Sequence, residues 1–301
     1  MGVSCKCRFK NLERRGESLE RDLREYYKLL DEEWNPYKPG GYKRFLEALR
    51  VVDSIVEHKF IRDIIKRRNK VRILDVCSGY GIGGIALAKV MEEHKKQVDL
   101  TLVDIREEVL IRAKKWSIEV LRKPAKTLVL DVMNLKKLGE KFDLIIMYGN
   151  SIAHFSPWDL LLLLPSIINV LEDNGVFIVE NIDVGLQLLM GYKYIWIERG
   201  SKPILNFHAS YDILKGTCRR LFFSFEHNEK GFVDLHFWYT STLGALLFCF
   251  FNDLSILSHP WEHWKYYVIV RRPRENMPRI TKKRVEEILS ENLKSERQEK
   301  T

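Results

Sequence analysis

Between Val71 and Asn181 the chain alternates short β-branched runs with amphipathic stretches, and this alternation constrains the fold more than any other feature. It predicts a parallel sheet wrapped by helices on both faces, because parallel strands need crossovers long enough to hold a helix. Strands are expected at Val71–Val76, Val98–Asp104, Thr127–Asp131, Phe142–Tyr148 and Gly175–Asn181, and helices at Ile82–Glu93, Glu107–Leu121 and Trp158–Leu171. Ser156-Pro157 supplies the last helix with a cap and a proline at its first position. After Asn181 the helical spacing stops. Lys193–Arg199, Ile204–Leu214, Thr217–Asn228 and Gly231–Thr240 are strand-like, with turns at Lys215-Gly216 and Asn228–Gly231, and read as an antiparallel excursion. Leu243–Phe251 fits either a buried helix or a strand, and Tyr266–Val270 fits a last strand.

The expected organisation is a helical cap or lid over residues 1–70, a central domain over 71–272 that includes the excursion at 182–241, and a basic tail over 273–301. The first segment is broken at Asn35–Gly41; the tail carries Val285, Ile288, Leu289 and Leu293 at helical spacing. With 46% hydrophobic and 30% charged residues in 301, the chain is neither disordered nor in need of metal or disulfide support. Its five cysteines are scattered without framework spacing, and Cys5-x-Cys7 has no second pair nearby. No apolar run approaches the roughly 20 residues of a membrane span, and the N-terminus lacks the apolar centre of a signal peptide. A cytoplasmic location and no metal are expected. The net charge of +9 divides into +6 over residues 1–70, −1 over 71–270 and +4 over 271–301, so the ends are basic and the body neutral.

The sharpest motif is Asp75-Val76-Cys77-Ser78-Gly79-Tyr80-Gly81-Ile82-Gly83-Gly84, where a buried strand turns into a helix. Gly79, Gly81 and Gly84 satisfy G-x-G-x-x-G, which invites comparison with dinucleotide sites. Asp75 separates the candidates. A carboxylate in this crevice repels a pyrophosphate and attracts a ligand carrying an ammonium and a sulfonium, which favours S-adenosylmethionine over NAD. Asp104 ends the second strand, where a carboxylate can accept from both ribose hydroxyls. Asp131 ends the third, within reach of an adenine amine. All three acids fall at carboxyl ends of expected parallel strands, where open α/β sheets bind ligands.

On these residues the chain resembles the class I S-adenosylmethionine-dependent methyltransferases over roughly residues 42–272. The run Phe142–Phe155, containing Gly149-Asn150-Ser151-Ile152-Ala153-His154, is similar to the small-molecule branch that includes glycine N-methyltransferase. The resemblance implies a Rossmann-like, doubly wound, seven-stranded α/β sheet with an antiparallel last strand and an antiparallel β insertion after the fifth. It implies a cofactor site at Asp75, Cys77, Gly79, Tyr80, Gly81, Asp104, Ile105, Asp131, Val132, Tyr148 and Gly149.

Methyl transfer from a sulfonium is an in-line displacement that needs alignment, desolvation and, for a protonated acceptor, a base. His154 is the first candidate for that base, the alternative being a packing role at the start of the next helix. Asn150 is a candidate to orient the cofactor's ammonium or the acceptor. Tyr26, Tyr27, Trp34, Tyr37 and Tyr42 form an aromatic group that either closes over the site or packs on the sheet, with Tyr42 the member singled out. The leading expectation is methylation of a nitrogen or oxygen of a small molecule. The alternatives are an RNA methyltransferase using Lys66–Lys70, Arg271–Arg274 and Lys282–Arg284, and a cofactor-binding regulator without turnover.

Overall fold

A computed structural model of the chain describes residues 12–189, 195–198, 203–226, 228–276 and 280–298. Helices α1 (Leu12–Leu29), α2 (Asp31–Trp34), α3 (Pro39–Val56) and α4 (Lys59–Arg67) come first. Strands and helices then alternate: β1 (Lys70–Val76), α5 (Ile82–Glu93), β2 (Gln97–Asp104), α6 (Glu107–Leu121), β3 (Lys126–Val129), β4 (Phe142–Met147), α7 (Pro157–Val170) and β5 (Leu171–Ile182). Next come α8 (Val184–Leu189), β6 (Ile195–Glu198), β7 (Ile204–Asp212), β8 (Thr217–Ser224) and β9 (Glu229–His236). The last elements are α9 (Thr240–Phe248), β10 (Phe251–Ser258), β11 (Lys265–Pro273) and α10 (Lys282–Gln298).

Seven strands form one sheet in the order β10-β11-β5-β4-β1-β2-β3, in which β11 runs antiparallel to both neighbours and the remaining pairs are parallel. Strands β6 to β9 make a separate antiparallel sheet in chain order. This is the doubly wound architecture expected from the sequence, with its antiparallel last strand and its β insertion after the fifth.

The central strands are apolar along their length because helices cover both faces. Side chains alternate across a strand, so Ile73, Leu144, Ile146 and Ile178 enter the core shared with α3 and α5. Leu74, Val76, Ile145, Met147, Phe177 and Val179 enter the core shared with α7 and α9. Each fully buried aliphatic side chain contributes about 1.5–3 kcal/mol. A third, smaller cluster of Leu30, Ala153, Ile204, Phe222, Val233 and Leu235 joins the insertion to the N-terminal helices. Helix α1 packs on β9 and β8, whereas α3 packs on α5.

Several boundaries move for physical reasons. Pro39, Gly40 and Gly41, read as part of a break, form the first turn of α3, where proline needs no N–H partner. Leu243–Phe251 is mostly helix α9, and the strand β10 that follows was not expected. It lies at the sheet edge and mixes polar with apolar residues, and Asp253 there pairs with Arg271 at 2.9 Å. The strand expected at Lys193–Arg199 is described only as β6; residues 193, 194 and 199, like Cys5 and Cys7, lie outside the described residues. Among the described residues no helix is long and apolar enough to cross a membrane.

Gly84 sets how closely α5 approaches the sheet. A Cβ there would stand 2.6 Å from Cβ of Asp75 and 2.7 Å from its Oδ2. Gly84→Ala gains up to about 1 kcal/mol of helix propensity but overpacks the contact by about 1–3 kcal/mol. The expected outcome is net destabilisation of roughly 1–2 kcal/mol, read from the urea midpoint at unchanged slope.

Candidate active site

Strand β1 delivers Asp75 to the head of the sheet, and the chain then turns through left-handed backbone at Cys77, Gly79 and Gly81 (φ 55°, 52° and 76°) before α5 starts. Asp75 is buried. Its Oδ2 accepts from the Gly84 backbone N–H at 2.8 Å, while Oδ1 has no partner among the described residues. Burial pushes its carboxyl up to about 8, opposed by the Gly84 N–H and reinforced by the nearby Asp104. Ser78 Oγ, in the same loop, is likewise buried without a partner.

These residues wall a cavity of about 520 Å³. Of the expected cofactor set, Asp75, Cys77, Gly79, Tyr80, Tyr148 and Gly149 line it. Gly81 serves as the N-cap of α5. Asp104, Ile105, Asp131 and Val132 are not part of its wall. Asp104 is buried and its oxygens are engaged: Oδ2 accepts from Gly79 N–H at 2.7 Å, and Oδ1 from the Arg106 backbone N–H at 3.0 Å and its Nε at 2.9 Å. Asp131 is exposed and caps the 3-10 turn Val132–Leu138, accepting from Met133 N–H at 2.9 Å.

Helices α1 and α2 cover this cavity. The Arg106 guanidinium lies 4.2 Å from the centre of the Tyr27 ring, and Tyr27 Oη is 2.7 Å from His154 Nε2. Tyr80 donates to Asp31 of α2, Arg24 of α1 pairs with Glu108 of α6, and Lys28 pairs with Glu229 of the insertion at 2.7 Å.

A second cavity, of about 540 Å³, shares Tyr27, Lys28, Asp31, Trp34 and Gly149 with the first. It is lined by Asn150 and His154 from the loop after β4, Glu180 and Ile182 from β5, and Ile204, Ser224 and Leu235 from the insertion. Asn150 Oδ1 accepts from Ile182 N–H at 3.1 Å, tying the loop to β5. Burial lowers His154 to about 4, with Arg106 adding to the effect, so its ring is neutral near pH 7. Tyr42 is not part of either wall: it is 48% exposed and packs its ring edge-on to Trp116 of α6, 6.3 Å between centroids. The aromatic group of the N-terminal segment therefore divides. Tyr27 and Trp34 face the cavities, while Tyr37 and Tyr42 pack on Trp116.

Sequence reasoning passed over Arg106 and Glu180. Glu180 had a usable signal, a lone acid at the carboxyl end of the apolar fifth strand, the same criterion that selected Asp75 and Asp104. Arg106 had none, since only the fold shows its side chain returning onto a residue two positions earlier.

Residues 73–175 match the family model described as a methyltransferase domain. No curated protein matches the chain. Among solved structures, the PH0226 protein of Pyrococcus horikoshii is similar with a TM-score of 0.57 at 18% identity, covering 83% of this chain and 99% of that one. An S-adenosylmethionine-dependent methyltransferase of Clostridium acetobutylicum gives 0.55 at 16% identity over 83% and 98%. The CcbJ methyltransferase of Streptomyces caelestis gives 0.54 at 13% identity over 74% and 89%. At such identities these likenesses are ones of fold. The matched segment marks a methyltransferase domain within the chain, and the likenesses show that the fold around it is the one these proteins share. The cofactor expected from the sequence motifs is S-adenosylmethionine.

The first cavity suits that cofactor chemically, since Asp75 Oδ1 and Ser78 Oγ are unpartnered and Asp75 can meet an ammonium. With its carboxyl at about 8, Asp75 is protonated near pH 7 in the ligand-free protein and must ionise to meet a cation. Binding of S-adenosylhomocysteine at pH 7 is therefore expected to release a proton and to tighten as the pH rises from 6 to 8. The dependence of calorimetric enthalpy on buffer ionisation measures this, and Asp75→Asn should abolish the release.

Proposed function

We propose that the enzyme transfers the methyl group to a nitrogen or oxygen of a small molecule by in-line displacement. The observation that carries this reading is the pair of cavities meeting at Tyr27, Trp34 and Gly149 under α1 and α2. One compartment is built on the glycine loop and the other on the loop after β4, so a donor and an acceptor can face each other across a short wall. When bound, S-adenosylmethionine supplies an activated methyl group on a good leaving group, leaving alignment and desolvation to the protein.

In this reading Asp75, Cys77, Gly79, Tyr80, Tyr148 and Gly149 hold the amino-acid portion of the cofactor. Asp104 takes the ribose once Arg106 withdraws from it, and Ile105, Asp131 and Val132 flank the adenine. Asn150 fixes the loop between the two compartments. His154, neutral and joined to Tyr27, is an acceptor-side polar group. A nucleic-acid acceptor lacks comparable support, because several arginines of the basic clusters are already neutralised. Arg68 pairs with Asp143 at 3.1 Å, Arg271 with Asp63 at 2.9 Å, and Arg272 with Asp253 at 2.6 Å.

Two measurements test the reading. Release of S-adenosylhomocysteine is expected with a member of a small-metabolite panel and not with RNA. Asp104→Ala should weaken S-adenosylhomocysteine binding by about 1.5–3 kcal/mol, the worth of hydrogen bonds to a charged group. An unchanged dissociation constant would remove Asp104 from the ribose.

A further inference from the structure

We propose that Glu180 binds the reacting nitrogen of the acceptor, and that the acceptor is an aliphatic amine. This rests on the small-molecule methyltransfer reading above and narrows it.

Glu180 stands at the carboxyl end of β5 and is 4% exposed. Its Oε2 accepts from Gly149 N–H at 3.2 Å and from Tyr267 Oη at 3.4 Å. Its Oε1 has no hydrogen-bond partner among the described residues, and the side chain lines the second cavity. Of the carboxylates in that wall, Glu180 alone is buried. Of the four cations in the wall, Lys38 makes no ion pair among the described residues and the other three are engaged with other acids. Lys265 pairs with Glu262, Arg44 pairs with Glu33 at 3.6 Å and lies 4.3 Å over the Trp34 ring, and Lys28 pairs with Glu229 at 2.7 Å. A buried carboxylate with an open oxygen and no ion pair is costly unless something completes it, and an ammonium does so with both a charge and a donor.

The choice of nitrogen over oxygen follows from the open carboxylate oxygen, which an ammonium meets with a charge and a donor and a hydroxyl with a donor alone. An unactivated hydroxyl must lose its proton as it reacts. An amine needs only to give up one ammonium proton beforehand. Burial raises the Glu180 carboxyl above its ordinary range, against the pull of Lys265, the Gly149 N–H and Arg44, which makes it a better acceptor for that proton. The proton moves from the ammonium to Oε1 and on to solvent. The freed nitrogen lone pair then forms the N–CH3 bond as the S–CH3 bond breaks, and the bonding pair stays on sulfur, giving S-adenosylhomocysteine. Glu180 also receives the N–H of Gly149, a residue of both cavity walls, so the group that holds the acceptor also fixes the partition between the compartments.

The test uses crystals of the full chain saturated with S-adenosylhomocysteine and soaked in ethylammonium chloride or, at equal concentration, ethanol. Ethylammonium nitrogen is expected at hydrogen-bond distance, about 2.7–3.2 Å, from Glu180 Oε1, with no ethanol there. Glu180→Gln should weaken ethylammonium binding by at least about tenfold, the loss of one charge-assisted hydrogen bond. Gln keeps an amide oxygen to accept from Gly149 N–H, so S-adenosylhomocysteine should still bind the first cavity of the variant, which is the control that the compartment is intact. S-adenosylhomocysteine in the first cavity without ethylammonium at Glu180, or equal ethylammonium binding by Glu180→Gln, overturns the proposal alone. Absence of S-adenosylhomocysteine from the first cavity overturns the methyltransfer reading and the proposal with it.

Discussion

Three carboxylates buried at the ends of parallel strands organise everything above the sheet. Asp75, Asp104 and Glu180 stand at the ends of β1, β2 and β5 as the apolar runs give out, and each accepts a glycine backbone N–H: Gly84 in the first turn of α5, and Gly79 and Gly149 in the loops, respectively. A buried carboxylate is tolerable only when hydrogen-bonded, and a loop of left-handed glycines holds its shape only when its amides are satisfied. Each requirement meets the other. The arrangement leaves a different remainder at each site. Asp75 keeps one oxygen open toward the first cavity and Glu180 one toward the second, while Arg106 closes off Asp104. The same groups that fix the loops are thus the ones with binding capacity to spare.

The cover over the site is held differently. Helices α1 and α2 are attached through the small apolar cluster they share with the insertion and through the polar pairs Arg24–Glu108, Asp31–Tyr80, Lys28–Glu229 and Arg219–Asp22, in which most of the side chains are exposed or half-buried. Pairs of that kind contribute about 0–1 kcal/mol each. The sheet beneath is fixed by two large apolar cores, so the cover is the part that can yield when a ligand enters. Arg106 links the two regimes, with its guanidinium on buried Asp104 below and on the Tyr27 ring above. Any ligand that takes Asp104 must loosen what Tyr27 rests on.

The sheet was legible because both its faces are buried, so β-branched runs and helical spacing report directly on layers. The helices Ile82–Glu93 and Glu107–Leu121 have the bounds read from sequence. Edge strand β10 was not legible, because one covered face leaves it only a weak alternation. The glycine loop and Asp75 were legible because strand, turn and helix follow one another locally. Tyr27, Trp34 and Arg106 take their positions from contacts between distant segments: Tyr27 meets His154, 127 residues away. No local pattern carries that information. Tyr42 shows the converse, an aromatic at a suggestive place in the chain whose helix phase turns it onto Trp116.

The two compartments also differ in how they are made. The first is walled by the ends of central strands and by α5, elements whose positions are fixed by cores on both faces of the sheet. The second takes much of its wall from β7, β8 and β9, a sheet that meets the rest of the molecule through the small cluster around Leu30, Ile204 and Phe222. A cofactor pocket built on the rigid layer cannot be reshaped without disturbing the fold. The wall of the second compartment can be rebuilt by substitutions in the insertion, at positions such as Ile204, Ser224 and Leu235, without altering β1, β2 or the glycine loop. Glu180 belongs to the rigid layer yet lines the adaptable compartment. If Glu180 binds the reacting nitrogen as proposed, the chemistry of the reacting atom is set by the sheet and the shape of the rest of the acceptor by the insertion.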